Sequence, residues 1–127
     1  MSIKILTVDD STIMRKMIVK GVQNMGYEIL EAHNAQEGLS VLSVKYKEIK
    51  LILLDWNMPG MNGMEFLKRI KAPGSIYGEI PVIMVTTEGE RASIVQAIQM
   101  GAANYILKPF ETEELTKKIS VCLEGKV

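Results

Sequence analysis

Apolar runs alternate with amphipathic segments along the whole chain, and this alternation predicts the secondary structure. Short segments rich in Ile, Val and Leu are predicted as strands, at 3–8, 27–32, 51–54, 81–86 and 104–107. Segments with apolar residues three or four positions apart are predicted as helices, at 11–25, 35–46, 63–71, between Thr87 and Gly101, and 112–124. The strand at 27–32 is more polar than the central ones, as suits the edge of a sheet.

Several helix starts carry their own signal, the spacing of a capping box, in which a polar residue is followed three positions later by Glu. The pairs are Asn34 with Glu37, Asn62 with Glu65, and Thr87 with Glu90. On the first helix, one apolar face is predicted to contain Met14, Met17, Ile18, Val22 and Met25.

The order of these elements predicts the fold. Strands separated by helices, with nearly all-aliphatic central strands, are typical of a parallel sheet covered on both faces. Right-handed crossovers then favour a doubly wound, flavodoxin-like α/β fold with five strands in the order 2-1-3-4-5. Ligands of such sheets bind at the carboxyl ends of the strands, here between the first and third strands, where the strand order reverses.

Polar side chains stand at the ends of four predicted strands. In chain order they are Asp9 and Asp10, then Asp55, then Thr86 and Thr87, and then Lys108. Because neighbouring parallel strands lie about 4.8 Å apart and end at the same edge, these groups are expected to converge. Each has a simpler explanation alone: the Asp and Thr residues suit helix caps and turns, and Lys108 suits a solvated loop. The presence of such residues at the ends of four strands together favours a functional site.

Three carboxylates that lie together need a cation or must hold protons, since two like charges 4 Å apart repel by roughly 4 kcal/mol at an effective dielectric near 20. One lysine cannot neutralise all three, so a hard divalent cation such as Mg²⁺ is predicted. A single His and the absence of a Cys/His cluster argue against zinc or copper. Asp9 and Asp10 form a natural metal-holding pair, which leaves Asp55 as the nucleophile toward phosphorus. Lys108 would supply charge and Thr86 a hydroxyl donor.

Composition narrows the class of protein. The chain has 127 residues and 15 basic against 15 acidic ones, so its formal net charge is zero. This balance gives no electrostatic case for nucleic acid or a membrane surface, and no segment approaches the length of a transmembrane helix. Cys122 is the only cysteine, so no internal disulfide forms, and a cytoplasmic location is predicted. Cys122 is interpreted as a small core residue and His33 as an ordinary surface residue. One domain, 1–127, is expected.

The motifs LTVDDST, LLDWNMPGMNGMEFLKRI, PVIMVTTE and GAANYILKPF together resemble those of response-regulator receiver domains, over the whole chain. The resemblance implies that Asp55 accepts a phosphoryl group from a histidine kinase. It implies Mg²⁺ held by Asp9, Asp10, Asp55 and the backbone carbonyl of Asn57. It also implies contact of Lys108 with the phosphoryl group, a switch of Thr86 and Tyr105, and a cis peptide bond before Pro109.

Within that family, Trp56 and the MPGMNG wording resemble the single-domain chemotaxis regulators. The resemblance implies a monomer that changes its protein target when phosphorylated, such as a flagellar switch protein, with a phosphatase as a further partner. The implied partner surface includes Glu90, Arg91, Ile94, Tyr105 and Lys118. A single-domain phosphorelay intermediate or adaptor is the alternative, and neither binds nucleic acid or a membrane.

Two other classes of protein are weighed against this switch. A Mg²⁺-dependent phosphohydrolase of the haloacid-dehalogenase type would place its nucleophile and a second Asp two positions apart after the first strand. Here Asp9 and Asp10 are adjacent and the lone Asp55 is on the third strand, which disfavours that enzyme class. A constitutive interaction module with a vestigial site is disfavoured by the complete set of site residues. Self-phosphorylation from phosphodonors and self-dephosphorylation are the only chemistry expected.

Overall fold

The computed structural model describes residues 3–125 and places five parallel strands in one sheet. The strands are β1 (Lys4–Val8), β2 (Glu28–Ala32), β3 (Ile49–Leu54), β4 (Val82–Thr86) and β5 (Asn104–Leu107). Their order is β2-β1-β3-β4-β5, so the predicted doubly wound α/β fold is confirmed and the polar second strand is an edge strand. The predicted domain bounds, residues 1 and 127, lie outside the described residues.

Helices link successive strands and follow the last one. They are α1 (Thr12–Asn24), α2 (Ala35–Lys45), α3 (Gly63–Ile70), α4 (Arg91–Gln99) and α5 (Thr112–Glu124). Two of the predicted capping pairs are confirmed, because the side chains of Asn34 and Asn62 accept the amides of Glu37 and Glu65 at 2.8 and 2.9 Å. Glu65 also reaches back to the amide of Asn62, which completes the capping box of α3.

The predicted cap of α4 is wrong. Thr87 caps nothing, and α4 begins only at Arg91, after Glu90, which has no side-chain capping bond. The reason is a competing set of local bonds: Thr86 Oγ1 accepts the amide of Glu88 at 3.2 Å, and Glu88 Oε1 accepts the amide of Glu90 at 3.3 Å. Such side-chain bonds to the backbone hold a loop in place of the first helical turn.

Two apolar cores lie on opposite faces of the sheet. Ile18 and Val22 of α1 pack with Leu115 and Ile119 of α5 on one face. On the other, residues of α2, α3 and α4 pack together, among them Leu42, Phe66, Leu67 and Ala97. The predicted face of α1 is correct except at Met17, which is 43% exposed. Met17 precedes the buried Ile18 by one residue, and successive residues of a helix are rotated by about 100° around its axis.

The strand register aligns the carboxyl ends of the central strands. Val8 at the end of β1 pairs with Leu54 at the end of β3, and Leu54 pairs with Met84 of β4. The residues that directly follow these strands therefore start from one edge of the sheet, as the sequence predicted.

Candidate functional site

Asp9 and Asp55 lie side by side at that edge. The amide of Asp55 donates to the carbonyl of Val8 at 3.0 Å, which joins the ends of the two strands. Asp9 is 1% and Asp55 6% exposed, whereas Asp10 is exposed to solvent. Two buried carboxylates and one exposed carboxylate thus occupy the position that the sequence predicted for the site.

Lys108 reaches the same place from the end of β5. Its Nζ lies 2.6 Å from Oδ2 of Asp9 and 3.4 Å from Oδ2 of Asp55, and its side chain is almost fully buried. The Lys108–Pro109 peptide bond is cis, as the sequence resemblance implied. A buried ammonium offsets part of the repulsion between two buried carboxylates, yet it cannot compensate three.

The three carboxylates fit a hard cation. One oxygen each from Asp9, Asp10 and Asp55 can be chosen so that all three lie within 4.8 Å of one another. Carboxylate oxygens at this spacing are the ligands that Mg²⁺ takes, and a partly exposed site leaves room for the waters it retains. Asn57 is exposed and follows Asp55 by two residues in the loop before α3, and its role as a backbone ligand stays a prediction.

Burial dominates the electrostatics of Asp55. Desolvation raises the pKa of its carboxyl above the ordinary value of 3.8, and the neighbouring Asp9 raises it further. Lys108 and the hydroxyl of Thr86 act in the opposite direction, without cancelling the rise. The protein therefore maintains an ionisable group where its charge is unfavourable, which is common at functional sites.

Thr86 and Tyr105 lie on adjacent strands beside this carboxylate. Met84 of β4 pairs with Tyr105 of β5, and Thr86 is completely buried. The hydroxyl of Tyr105 donates to the backbone carbonyl of Glu88 in the β4–α4 loop, and burial raises its pKa to about 12. Tyr105 thus points inward here and is only 8% exposed. Its movement together with Thr86 stays a prediction.

The loop between β3 and α3 is held close to Asp55 by Gly63. The amide of Gly63 donates to the carbonyl of Trp56 at 2.8 Å. A side chain at Gly63 would press on the carbonyl oxygen of Asp55 and lie 2.8 Å from Cα of Trp56. Only glycine permits this approach, so Gly63 shapes the site although it supplies no functional group.

Two contacts to Asp9 were missed by the sequence analysis. The amide of Ser11 donates to Oδ1 of Asp9 at 2.9 Å, and Nη1 of Arg15 donates to the backbone carbonyl of Asp9 at 2.6 Å. Ser11 also caps α1 by accepting the amide of Met14. The Ser11 contact follows from the helix start, but no periodic pattern in the sequence marks Arg15.

The residues predicted for a partner surface lie along α4, β5 and α5. Glu90 and Arg91 are exposed and Ile94 is half-buried. Lys118 is partly anchored, because its Nζ donates to the carbonyl of Tyr105 at 3.0 Å. Exposed apolar side chains on the same elements are Val95, Ile98 and Leu107.

Of the two residues set aside in the sequence analysis, His33 lines a cavity together with Asp10, and Cys122 lies on α5. His33 is exposed, with Nδ1 3.0 Å from Oε1 of Glu37. Cys122 is half-buried against the core between α1 and α5, and burial raises the pKa of its thiol. Both agree with the interpretation made from the sequence. Among residues 3–125, no helix combines the length and apolar character needed to cross a membrane.

Comparison with known proteins gives a consistent result. The family model described as the response regulator receiver domain matches residues 5–120. Chemotaxis protein CheY1 of Helicobacter pylori is 41% identical over 121 residues, covering 94% of this chain and 96% of that protein. The phosphate regulon transcriptional regulatory protein PhoB of Pseudomonas aeruginosa is 40% identical over 119 residues, covering 94% of this chain and 51% of that protein. The structure of CheY4 from Vibrio cholerae has a TM-score of 0.86 at 32% identity, covering 97% of this chain and all of that one.

The chain therefore belongs to the response regulator receiver domain family, and its relatives include CheY chemotaxis proteins. Receiver domains bind Mg²⁺ in an acidic pocket, take phosphoryl groups from histidine kinases and act on protein targets. They are in general signalling proteins rather than enzymes. The cluster of Asp9, Asp10 and Asp55 is compatible with such a pocket.

Proposed function

We propose that this protein is a phosphorylation-dependent switch, one receiver domain spanning 1–127, in which Asp55 accepts the phosphoryl group. The observation that carries the proposal is the convergence of Asp55, Asp9 and Lys108, with Nζ of Lys108 within 3.4 Å of both carboxylates. Asp9, Asp10, Asp55 and the backbone carbonyl of Asn57 would hold Mg²⁺. When bound, the cation supplies charge that stabilises the phosphoryl oxygens.

In the transfer step, a carboxylate oxygen of Asp55 attacks the phosphorus of a phosphohistidine on the kinase. The bond from phosphorus to the imidazole nitrogen breaks as the new oxygen–phosphorus bond forms, so that an acyl phosphate remains on Asp55. The ammonium of Lys108 lies where it can pair with a phosphoryl oxygen, and the hydroxyl of Thr86 is a second donor. Their burial favours this chemistry, since it strengthens these interactions.

The signal would pass from Asp55 through Thr86 and Tyr105 to the partner surface of Glu90, Arg91, Ile94, Tyr105 and Lys118. Tyr105 supports this route because it contacts both the β4–α4 loop and, through its carbonyl, Lys118 of α5. A change in the loop therefore reaches two helices at once. We propose a cytoplasmic role in chemotaxis, in which the protein acts on a flagellar switch protein; the likeness to CheY1 supports the chemotaxis role. In this proposal the protein is a monomer that binds neither nucleic acid nor a membrane.

The chemical proposal is tested by incubation with Mg²⁺ and acetyl phosphate, followed by intact mass spectrometry. The wild-type protein should gain one phosphoryl group, and Asp55→Asn should gain none. Glu111→Gln removes a carboxylate from an exposed position and should be phosphorylated like the wild type. Phosphorylation of the Asp55→Asn variant to the wild-type level would contradict the proposal.

A second experiment separates the motor role from the alternative of a phosphorelay intermediate or adaptor. The protein is immobilised with and without acetyl phosphate and Mg²⁺, and offered a purified flagellar switch protein or a histidine-containing phosphotransfer protein. Retention of the switch protein only on the phosphorylated form supports the motor role. Transfer of the phosphoryl group onto a histidine of the second partner supports the relay.

A further inference from the structure

The guanidinium of Arg15 folds back from α1 over the loop that carries Asp9 and Asp10. Its Nη1 donates to the backbone carbonyl of Asp9 at 2.6 Å, and Nη2 lies 3.5 Å from the hydroxyl of Thr12. Nε lies 3.4 Å from Oε1 of Glu31 on the edge strand β2. Only 15% of the Arg15 side chain is exposed, so this arginine is well packed for its type.

The carbonyl that Arg15 holds belongs to the peptide unit joining Asp9 to Asp10. Because a peptide unit is planar, fixing its oxygen also fixes the direction in which the chain enters Asp10. The Asp9 side chain has its own anchors in the amide of Ser11 and in Lys108. Among residues 3–125, no hydrogen bond or ion pair holds the Asp10 carboxylate, so its position depends on the backbone alone.

The charge of Arg15 has its own partner, the carboxylate of Glu31 on the side of the loop toward β2. Arg15 contacts the site through its hydrogen bond to the Asp9 carbonyl. An apolar side chain cannot donate this bond, and the ammonium of a lysine lacks the planar guanidinium geometry. The contribution of Arg15 is thus expected from its geometry rather than from its net charge.

We infer that Arg15 is a positioning residue of the metal site: it holds the Asp9–Asp10 peptide and thereby orients Asp10 as a ligand of the divalent cation. The inference rests on the proposed function, since it concerns the same metal site. Residues that orient metal ligands typically change metal affinity by about 10- to 100-fold when they are removed.

The test is a Mg²⁺ titration at constant ionic strength, followed by the fluorescence of Trp56, which lies next to Asp55 in the chain. Arg15→Met should raise the dissociation constant for Mg²⁺ by about tenfold. Lys16→Met is the matched control, because Lys16 is an exposed cation at the next position of α1 and, among residues 3–125, its side chain forms no hydrogen bond or ion pair. It should stay within about twofold of the wild type, the change expected of a distant surface charge.

Arg15→Lys separates geometry from charge, and also serves if Arg15→Met does not fold, as judged by circular dichroism. It retains the charge without the planar fork, and should bind Mg²⁺ more weakly than the wild type. In the metal-free proteins, the amide resonances of Asp10 and Ser11 should shift in both Arg15 variants and stay in place in Lys16→Met.

The outcomes are distinct. Wild-type affinity in Arg15→Met, wild-type affinity in Arg15→Lys, or equal weakening in Arg15→Met and Lys16→Met overturns the positioning role while leaving the proposed function intact. An absence of Mg²⁺ binding by the wild-type protein overturns the proposed function, and this inference with it.

Discussion

At the scale of the residue, Asp55, the proposed phosphoacceptor, lies in an environment that is unfavourable for its charge. Its carboxyl is almost fully buried and lies beside another buried carboxylate, so its pKa is raised in the folded protein. A raised pKa means that folding prefers the protonated form. The stability that this group contributes is present below its unfolded value, near 3.8, and is lost as the pH rises through the raised folded value.

Asp55→Asn should therefore stabilise the metal-free protein at pH 7, because the neutral amide avoids the cost of burying a charge. We expect a rise of roughly 3 °C or more in melting temperature in EDTA, which corresponds to about 1 kcal/mol. The difference should shrink as the pH falls through the raised folded pKa of Asp55 toward the unfolded value, near 3.8. Glu111→Gln removes a charge at the exposed N-cap of α5, so it should lower the melting temperature slightly at pH 7, in the opposite direction to Asp55→Asn. A lower melting temperature for Asp55→Asn at pH 7 would contradict this account.

Thr7 offers a second residue whose chemistry conflicts with its surroundings. Within the described part of the chain, its Oγ1 is the buried side-chain polar atom that lacks a hydrogen-bond partner, and the residue is completely buried on β1. Thr7→Val has nearly the same shape and removes the unpaired hydroxyl, so it should raise the free energy of unfolding by about 1 kcal/mol. Urea denaturation measures this change. Thr87→Val, at an exposed position, should give no comparable gain.

At the scale of the element, the β3–α3 connection depends on the backbone of Gly63. Asn62 and Glu65 cap α3 reciprocally, and Gly63 then brings the first turn of α3 against Asp55 and Trp56. The start of α3 and Asp55 are thereby held in direct contact. A change that moves one of them must also move the other.

Gly63→Ala should lower the free energy of unfolding by about 2 kcal/mol, since the added methyl group meets backbone atoms that have no room to move. The displaced Asp55 should also bind Mg²⁺ more weakly in the Trp56 titration. Gly78→Ala is the control, because its methyl group would lie 3.4 Å from the carbonyl of Ser75, an ordinary contact. Similar unfolding curves for the two variants would show that the loop tolerates the displacement.

At the scale of the whole molecule, the acidic site lies where two packed layers meet at one edge of the sheet. Asp9 and Asp55 directly follow the central strands β1 and β3, and Lys108 directly follows the edge strand β5. A cation held by Asp9, Asp10 and Asp55 would join the ends of β1 and β3, which α1, β2 and α2 separate in sequence. Binding of a cation at the site should therefore raise the stability of the whole protein.

Mg²⁺ should raise the melting temperature of the wild-type protein, because a ligand that binds only the folded state stabilises it. At a free concentration 100 times the dissociation constant, the gain is about 2.7 kcal/mol. Differential scanning calorimetry in MgCl₂, against NaCl of equal ionic strength, measures it. Asp55→Asn should lose most of the gain, and an equal gain in both proteins would place the cation elsewhere.

The sequence by itself determined the fold and the membership of the site. Hydrophobic periodicity is a local property, and right-handed parallel crossovers then leave few arrangements for five strands, so the order 2-1-3-4-5 was predictable. Asp9, Asp55 and Lys108 were found because each stands directly after a strand, and strand ends meet at one edge.

Only the tertiary structure determined which residues of the site contact one another. It placed Lys108 closer to Asp9 than to Asp55, turned Tyr105 inward, and brought Arg15 over the Asp9 carbonyl. It also showed that α4 begins at Arg91. The side chains of Thr86 and Glu88 accept backbone amides in the loop before it, and the capping box predicted from Thr87 and Glu90 does not form. These features depend on contacts between side chains and backbone groups that packing brings together, and a periodic pattern carries no information about such contacts.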